Sequence, residues 1–267
     1  MKKHFMKLKI LFNASSLKRA AKAVLWTIAA LVLWIGLWAL GAARVGKTLI
    51  LPSPLLVTKT LLKLACTKEF WTSVGGSIRN IVFGYSVGAA LGVFLGVVCY
   101  FVSPIRKLIS PLLTVVRATP VASFVILTVV FLERPIIPVV MVGMMVLPIV
   151  WGNTLSGLES TDKKLLEMAS SYEIGKLRTL TKIYAPSAAT SVLSGLATSI
   201  GLAWKAGIAA EILITPKGTI GEAMNAVKAV LQIPELFAYT LAVILISLLF
   251  ELIFRLSVGY IKRRGAR

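Results

Sequence analysis

Long segments with few or no charged side chains constrain this chain more than any other feature. Residues 23–43, 80–105 and 135–158 carry no charge at all. Segment 108–132 holds only Arg117, segment 185–213 only Lys205 and Glu211, and segment 236–261 only Glu251 and Arg255. A helix needs about 20 apolar residues to cross the hydrocarbon layer of a bilayer. Lipid offers no partner for the free N–H and C=O groups of an open strand, so each run predicts a helix. Charged residues make up 15% of the chain, against about 25% in soluble domains, and the mean hydropathy is +0.87. That much apolar surface cannot fold into a water-soluble core. The expectation is an all-α, polytopic membrane protein with about six transmembrane helices. The first run follows a basic stretch, as a signal peptide would. A signal h-region is only about 7–15 residues long, so residues 23–43 are read as a retained span.

The formal net charge is +20. The basic residues lie mostly between the apolar runs, and no basic stripe with interleaved aromatics is present, so nucleic acid is not the expected partner. Their distribution sets orientation instead. With the first segment inside, the larger share of Lys and Arg falls in the tail 1–22, at Arg106 and Lys107, in loop 159–184 and from Arg255 onward. The positive-inside rule then puts both termini in the cytoplasm. The expected organisation is a basic cytoplasmic tail over 1–22, one transmembrane domain over 23–261 and a basic cytoplasmic end at 262–267. Loops 44–77 and 214–235 fall outside, each with room for a short helix. Cys66 and Cys99 are far apart, read as buried inert thiols, and the one histidine, His4, lies in the basic tail. These imply no disulfide framework, metal or cofactor.

Two patterns concern helix packing. Gly84, Gly88, Gly92 and Gly96 recur every fourth residue, which puts them in one smooth ridge on a helix. Such ridges let backbones approach closely in lipid, where packing drives association. Ser191, Gly195, Ser199, Ala203 and Gly207 form a similar stripe. The inner loop is different. Thr161 or Asp162 can cap a short helix. Leu165, Met168, Ala169 and Tyr172 then share an apolar face, Gly175 serves as an elbow, and Leu177, Leu180 and Tyr184 form a second face before Pro186. The loop is either a compact cytoplasmic knob or an amphipathic segment lying on lipid headgroups.

Glu167-x-Ala169, Gly175, Ile183 and Ala185-Pro186 resemble the EAA loop of binding-protein-dependent ABC permeases, whose pattern is Glu-Ala-Ala, Gly, then Ile-x-Leu-Pro. Met168, Ser170 and Ala185 depart from it. Leu51-Pro-Ser-Pro54, Ser77-Ile-Arg79 with the glycine ridge, and Ala209-Ala-Glu211 resemble the nitrate/sulfonate/taurine branch of that family. The likeness covers the chain from about residue 24 onward. It implies a type I ABC importer permease in the bacterial plasma membrane, without catalysis of its own. The implied partners are ABC ATPase subunits, an extracytoplasmic substrate-binding protein and a second copy of the permease. Glu167, Ala169, Gly175, Ile183 and Pro186 would belong to the ATPase-coupling loop. The implied cargo is a small anion or organic anion such as nitrate, a sulfonate or taurine, or else a vitamin-precursor pyrimidine.

Charges inside spans are costly unless they face a cavity or a partner. Arg117, Lys205 and Glu211 are therefore candidates for a solute pathway. The competing reading has Lys205 reaching outward or pairing with Glu211, and Arg117 paired elsewhere. Glu251 and Arg255, four apart, suit an internal ion pair. Pro120, Pro135, Pro138 and Pro148 fall in or beside the third and fourth spans, where broken helices are common in transporters. Residues 41–48 match the phosphate-loop pattern GxxxxGK[ST]. That pattern works only between a strand and a helix N-terminus, and here it ends a span, so it is read as chance. Asn13-Ala-Ser15 is likewise a chance glycosylation match. A stand-alone secondary transporter would need an inverted repeat or paired intramembrane acids, and a membrane enzyme would need a nucleophile with its base. Neither is evident.

Overall fold

The computed structural model describes residues 14–265, and among them every regular element is helical. α1 spans Ala14–Val45, α2 Pro54–Ala65, α3 Lys68–Phe101, α4 Ser103–Ala118, α5 Val121–Thr128 and α6 Ile137–Glu159. α7 spans Lys163–Ser171, α8 Lys176–Thr179, α9 Ala185–Ile214, α10 Ile220–Ala229 and α11 Ile233–Gly265. Among the described residues five helices are long and apolar enough to cross a membrane, and the count is six if α4 and α5 form one bent span. His4 and Asn13 lie outside the described residues, as does most of the basic tail; α1 already begins at Ala14.

The centre of the bundle is α6, packed between α3 and α9. Gly84, Gly88, Gly92 and Gly96 are all buried and lie along α6. A Cβ built on Gly88 would stand 2.8 Å from the Gly143 Cα, and one on Gly96 would stand 2.6 Å from the Thr154 Cβ. The two helices therefore touch through backbone, with α3 and α6 running in the same direction. On the other side, Gly157 meets Ala188 and Ser191, Gly195 meets Asn153, and Gly207 meets Ile81 and Val142, so α9 runs antiparallel to α6. Val142, Val146, Val150, Ile200 and Trp204 fill the space between them.

Short caps position the connecting pieces. The Ser53 side chain accepts from the Leu56 N–H at 3.3 Å, with Pro54 starting α2, and Thr67 accepts from Phe70 to start α3. α1 is exposed along most of its length; the Trp38 Nε1–H donates to the Pro52 carbonyl at 3.1 Å, and its ring stacks on Phe237. Residues 41–48 form the last turn of α1 and the turn after it, not a loop feeding a helix N-terminus. Cys99 is buried as expected, but Cys66, at the C-terminus of α2, is exposed.

One expected span is not a continuous helix. Segment 108–132 divides into α4 and α5 with a bend of 105°. Pro120 has no N–H to donate and disfavours helical dihedrals in the residue before it. Thr119 accordingly ends α4 in an extended conformation, φ −76° and ψ 129°.

The backbone contact between α3 and α6 gives a direct test. Overpacking a closed contact costs roughly 1–3 kcal/mol. Gly88→Leu should lower the thermal unfolding temperature of the solubilised protein by several degrees. Gly36→Leu, at a position where an added Cβ meets nothing within 4 Å, should leave it unchanged. Equal behaviour of the two variants would mean that α3 and α6 do not touch as described.

Candidate functional site

Three places carry the candidate residues: a knob between α6 and α9, a buried carboxylate at the opposite end, and an exposed polar face between them.

The knob begins where the Asp162 side chain accepts from the Lys164 N–H at 2.9 Å. Thr161 is buried and its hydroxyl makes no hydrogen bond, so Asp162 is the cap. Ala169 turns inward, its carbonyl accepting from the Ile174 N–H, while Leu165, Met168 and Tyr172 point out, Tyr172 being 76% exposed. Of the four residues that share this arc of α7 and its C-cap, only Ala169 is covered by the rest of the chain. The left-handed residue of the elbow is Glu173, φ 52°, and not Gly175, which begins α8 at φ −55°. A Cβ at Gly175 would meet nothing within 4 Å, so nothing inside the chain requires glycine there. Leu177 on α8 is 75% exposed. Glu167 is exposed, and its carbonyl accepts from the Ser171 hydroxyl.

The knob joins α9 through a π-helical turn, Leu180–Tyr184, that contains Ile183; Pro186 lies in the first turn of α9. The Tyr184 ring packs edge-on against Tyr100 and Phe101 at the end of α3. Between them and α7 lies a hollow of about 660 Å³ lined by Leu166, Ala169, Leu177 and Tyr184. At the same end Arg106 pairs with Glu159 at 2.5 Å, tying α4 to the end of α6. Both side chains are exposed, so the pair adds little stability.

At the opposite end Glu211 is fully buried. The Ser77 hydroxyl donates to its Oε2 at 2.5 Å, the Asn80 amide lies 3.4 Å from Oε1, and the Gly221 N–H also donates to the carboxylate. Ser77 in turn accepts from the Ile220 N–H at 2.9 Å. One carboxylate thereby joins α3, α9 and the start of α10. Asn80 in this network carried no sequence signal beyond a polar residue at the edge of an apolar run. Lys205 does not reach Glu211; it is exposed on another side of α9.

Arg117 closes the last turn of α4. Its Nη2 donates to the Pro148 carbonyl, and the absent side chain of Gly152 leaves room for the guanidinium. Arg117 and Lys205 are both accessible and Glu211 is not, so the structure separates the three pathway candidates. It also exposes Thr190, Ser194 and Thr198 on α9. The sequence reading followed the adjoining stripe through Ser191, Gly195 and Ser199, which is the packed one. Hydroxyls at every fourth position of an apolar run were the available signal. Glu251 and Arg255 pair at 2.5 Å, as their spacing predicts.

The sequence pattern of the binding-protein-dependent transport system inner membrane component family matches residues 88–267, and the chain belongs to that family. It is a permease subunit of an ABC importer and a multi-pass inner-membrane protein. It is similar to the putative aliphatic sulfonates transport permease protein SsuC of Bacillus subtilis (strain 168), with 28% identity over 69% of this chain and 67% of that one. It is also similar to the taurine transport system permease protein TauC of Escherichia coli (strain K12), at 22% identity over 68% of each. The fold is shared with a crystal structure of a bacterial ABC transporter involved in import of the acidic polysaccharide alginate. There the TM-score is 0.59 and the identity 15%, over 92% of this chain and 99% of that one.

The carboxylate network predicts a local effect. Glu211→Ala strands the buried Ser77 hydroxyl and the Gly221 N–H, at about 1–3 kcal/mol. The variant should melt earlier and become cleavable by trypsin at Lys217 or Lys228. Glu211→Gln keeps an acceptor and should lose less. Unchanged melting and cleavage in both variants would rule out a role for the carboxylate in seating α10.

Proposed function

We propose that two copies of this chain form the membrane path of an importer for a small organic anion of the sulfonate or taurine type, and that each knob docks on a separate ATPase subunit. The observation that carries the docking is the knob's surface. Tyr172, Leu177, Met168 and Leu165 present apolar side chains on a segment otherwise rich in charge, and Gly175 has no neighbour within its own chain. Exposed apolar residues rimmed by polar ones mark protein contact surfaces. Glu167, Ala169, Gly175, Ile183 and Pro186 are the residues of this coupling element. ATP hydrolysis is assigned to the partner, since the one phosphate-loop match lies on the last turn of α1.

The excess of Lys and Arg supports a cytoplasmic position for the knob and both ends of the chain. The segments 1–22 and 262–267 are then basic cytoplasmic extensions of one transmembrane domain, 23–261. α2 and α10 face outward, where a substrate-binding protein delivers cargo. The cargo class rests on the named sulfonate and taurine relatives and on two accessible cations, Arg117 and Lys205. A proton- or sodium-coupled carrier would need acids along a path. The acids within the spans, Glu211 and Glu251, are instead held in the α3–α9–α10 network and in the ion pair with Arg255.

Cysteine cross-linking tests the docking. Leu177→Cys in native membranes should cross-link to an ATPase subunit, and Lys217→Cys on the far side should not. Gly175→Trp should fold normally yet abolish the Leu177→Cys product. A product from position 217 and none from 177 would reverse the orientation and overturn the reading.

A further inference from the structure

α4 leaves the knob end of the bundle and runs back along α6. Arg106 pairs with Glu159 at one end of this contact, and Arg117 reaches the Pro148 carbonyl at the other, so the two helices are antiparallel. Leu113 and Val116 are buried on the side that meets the bundle. On the open side Leu108 is 75% exposed, Leu112 62% and Val115 60%. Their spacing puts them in one stripe along the helix. At the knob end of the stripe lies a hollow of about 510 Å³ lined by Ser103, Arg106, Lys107, Ser110 and Pro111.

The polar groups of this hollow are short of partners. Among the described residues the Lys107 ammonium makes no ion pair, and the Ser103 and Ser110 hydroxyls make no hydrogen bond. Thr114, on the same helix, gives its hydroxyl to the Ser110 carbonyl. Arg106 is held in place by Glu159 and keeps further N–H groups free. Pro111 lies inside α4 and has no N–H, so the Lys107 carbonyl loses its helical donor. Two cations and two hydroxyls suit the oxygens of a phosphate group, and the freed carbonyl suits a hydroxyl next to it. The depth is also defined. The uncharged run that begins at Asn80 ends at Ile105, so Arg106 and Lys107 stand where the chain reaches the headgroup layer. From there the Leu108, Leu112 and Val115 stripe leads back into the hydrocarbon at about 1.5 Å per residue. A soluble anion would use the cations and leave that stripe bare. A phospholipid covers both, and basic pockets between spans at the cytoplasmic side bind such headgroups.

We propose that the hollow at the start of α4 binds the headgroup of an anionic phospholipid of the phosphatidylglycerol type, in the leaflet on the knob's side, with an acyl chain lying along Leu108, Leu112 and Val115. Lys107 and Arg106 hold the phosphate, Ser103 and Ser110 donate to its oxygens, and a glycerol hydroxyl donates to the Lys107 carbonyl. The site is separate from any solute path. It joins the lipid to the Arg106–Glu159 pair, which ties α4 to the end of α6 from which the knob begins.

The test uses the full chain with whatever subunits accompany it, released from its own membranes in mild detergent. It is titrated with dioctanoyl phosphatidylglycerol or dioctanoyl phosphatidylcholine, and bound lipid is counted by native mass spectrometry. Phosphatidylglycerol should bind the more tightly by about fivefold or more, the worth of one lysine beside an anionic membrane surface, and the preference should shrink as salt is raised. Lys107→Gln should weaken phosphatidylglycerol by about the same factor, and Lys107→Arg should retain it. Leu112→Gln should weaken it as well, while Lys59→Gln, an exposed position on α2, should change nothing. Glycerol 1-phosphate in large excess should not displace the lipid. Equal binding of the two lipids, or binding unmoved by Lys107→Gln, would overturn the proposal. Displacement by glycerol 1-phosphate would overturn it in favour of a soluble phosphate ester. A Lys107→Gln variant that keeps its lipid but loses a co-purifying ATPase would overturn it in favour of a protein contact.

Discussion

Backbone contact between α3 and α6 is the constraint on which the other features depend. In lipid, apolar side chains gain nothing by leaving one hydrocarbon surface for another, so helices associate where their shapes allow close approach. The ridge Gly84, Gly88, Gly92 and Gly96 lets α6 lie directly on α3. With α6 fixed, its other side receives α9 through Gly157, Gly195 and Gly207. What remains of α6 is the strip around Gly152 and Asn153, where Gly152 meets the Arg117 side chain of α4 and Asn153 meets Gly195 of α9. A single packing choice therefore decides which surfaces of the helices are hidden and which stay exposed.

The two ends of this three-helix core are built differently. At the α10 end a buried carboxylate, two polar side chains and two backbone N–H groups join three elements. A buried carboxyl group is tolerated only with such partners, and losing one of them is costly. At the knob end the link is aromatic: Tyr184 against Tyr100 and Phe101, beside a hollow and a π-helical turn. π-helical turns occur often at functional sites. One end is tied by specific hydrogen bonds. The other is joined through ring contacts, which suits the coupling role proposed for the knob.

Much of this was legible in the sequence because lipid imposes simple rules. Long uncharged runs become helices, and a glycine at every fourth position becomes a contact ridge. The failures have physical causes too. Segment 108–132 has the length and composition of one span, and hydropathy is blind to the effect of Pro120 on Thr119. Gly175 lies in the elbow as read, but the left-handed residue there is Glu173, and Gly175 is extended. Glu211 stood out as a charge in a span. Its partners come from residues more than a hundred positions away in sequence, at Ser77 and Asn80, and only the folded chain brings them together. The packed stripe of α9 was found by its glycines. The exposed hydroxyl stripe beside it became visible only once the buried side of the helix was known.

The central claim is that this chain is the membrane half of an ATP-driven machine. Native mass spectrometry of the tagged wild-type chain, released from its own membranes in mild detergent, tests it most directly. The account predicts a particle of two copies of this chain with two copies of an ABC ATPase. A chain that emerges without an ATPase, and that moves solute across vesicles with no ATP present, would contradict it.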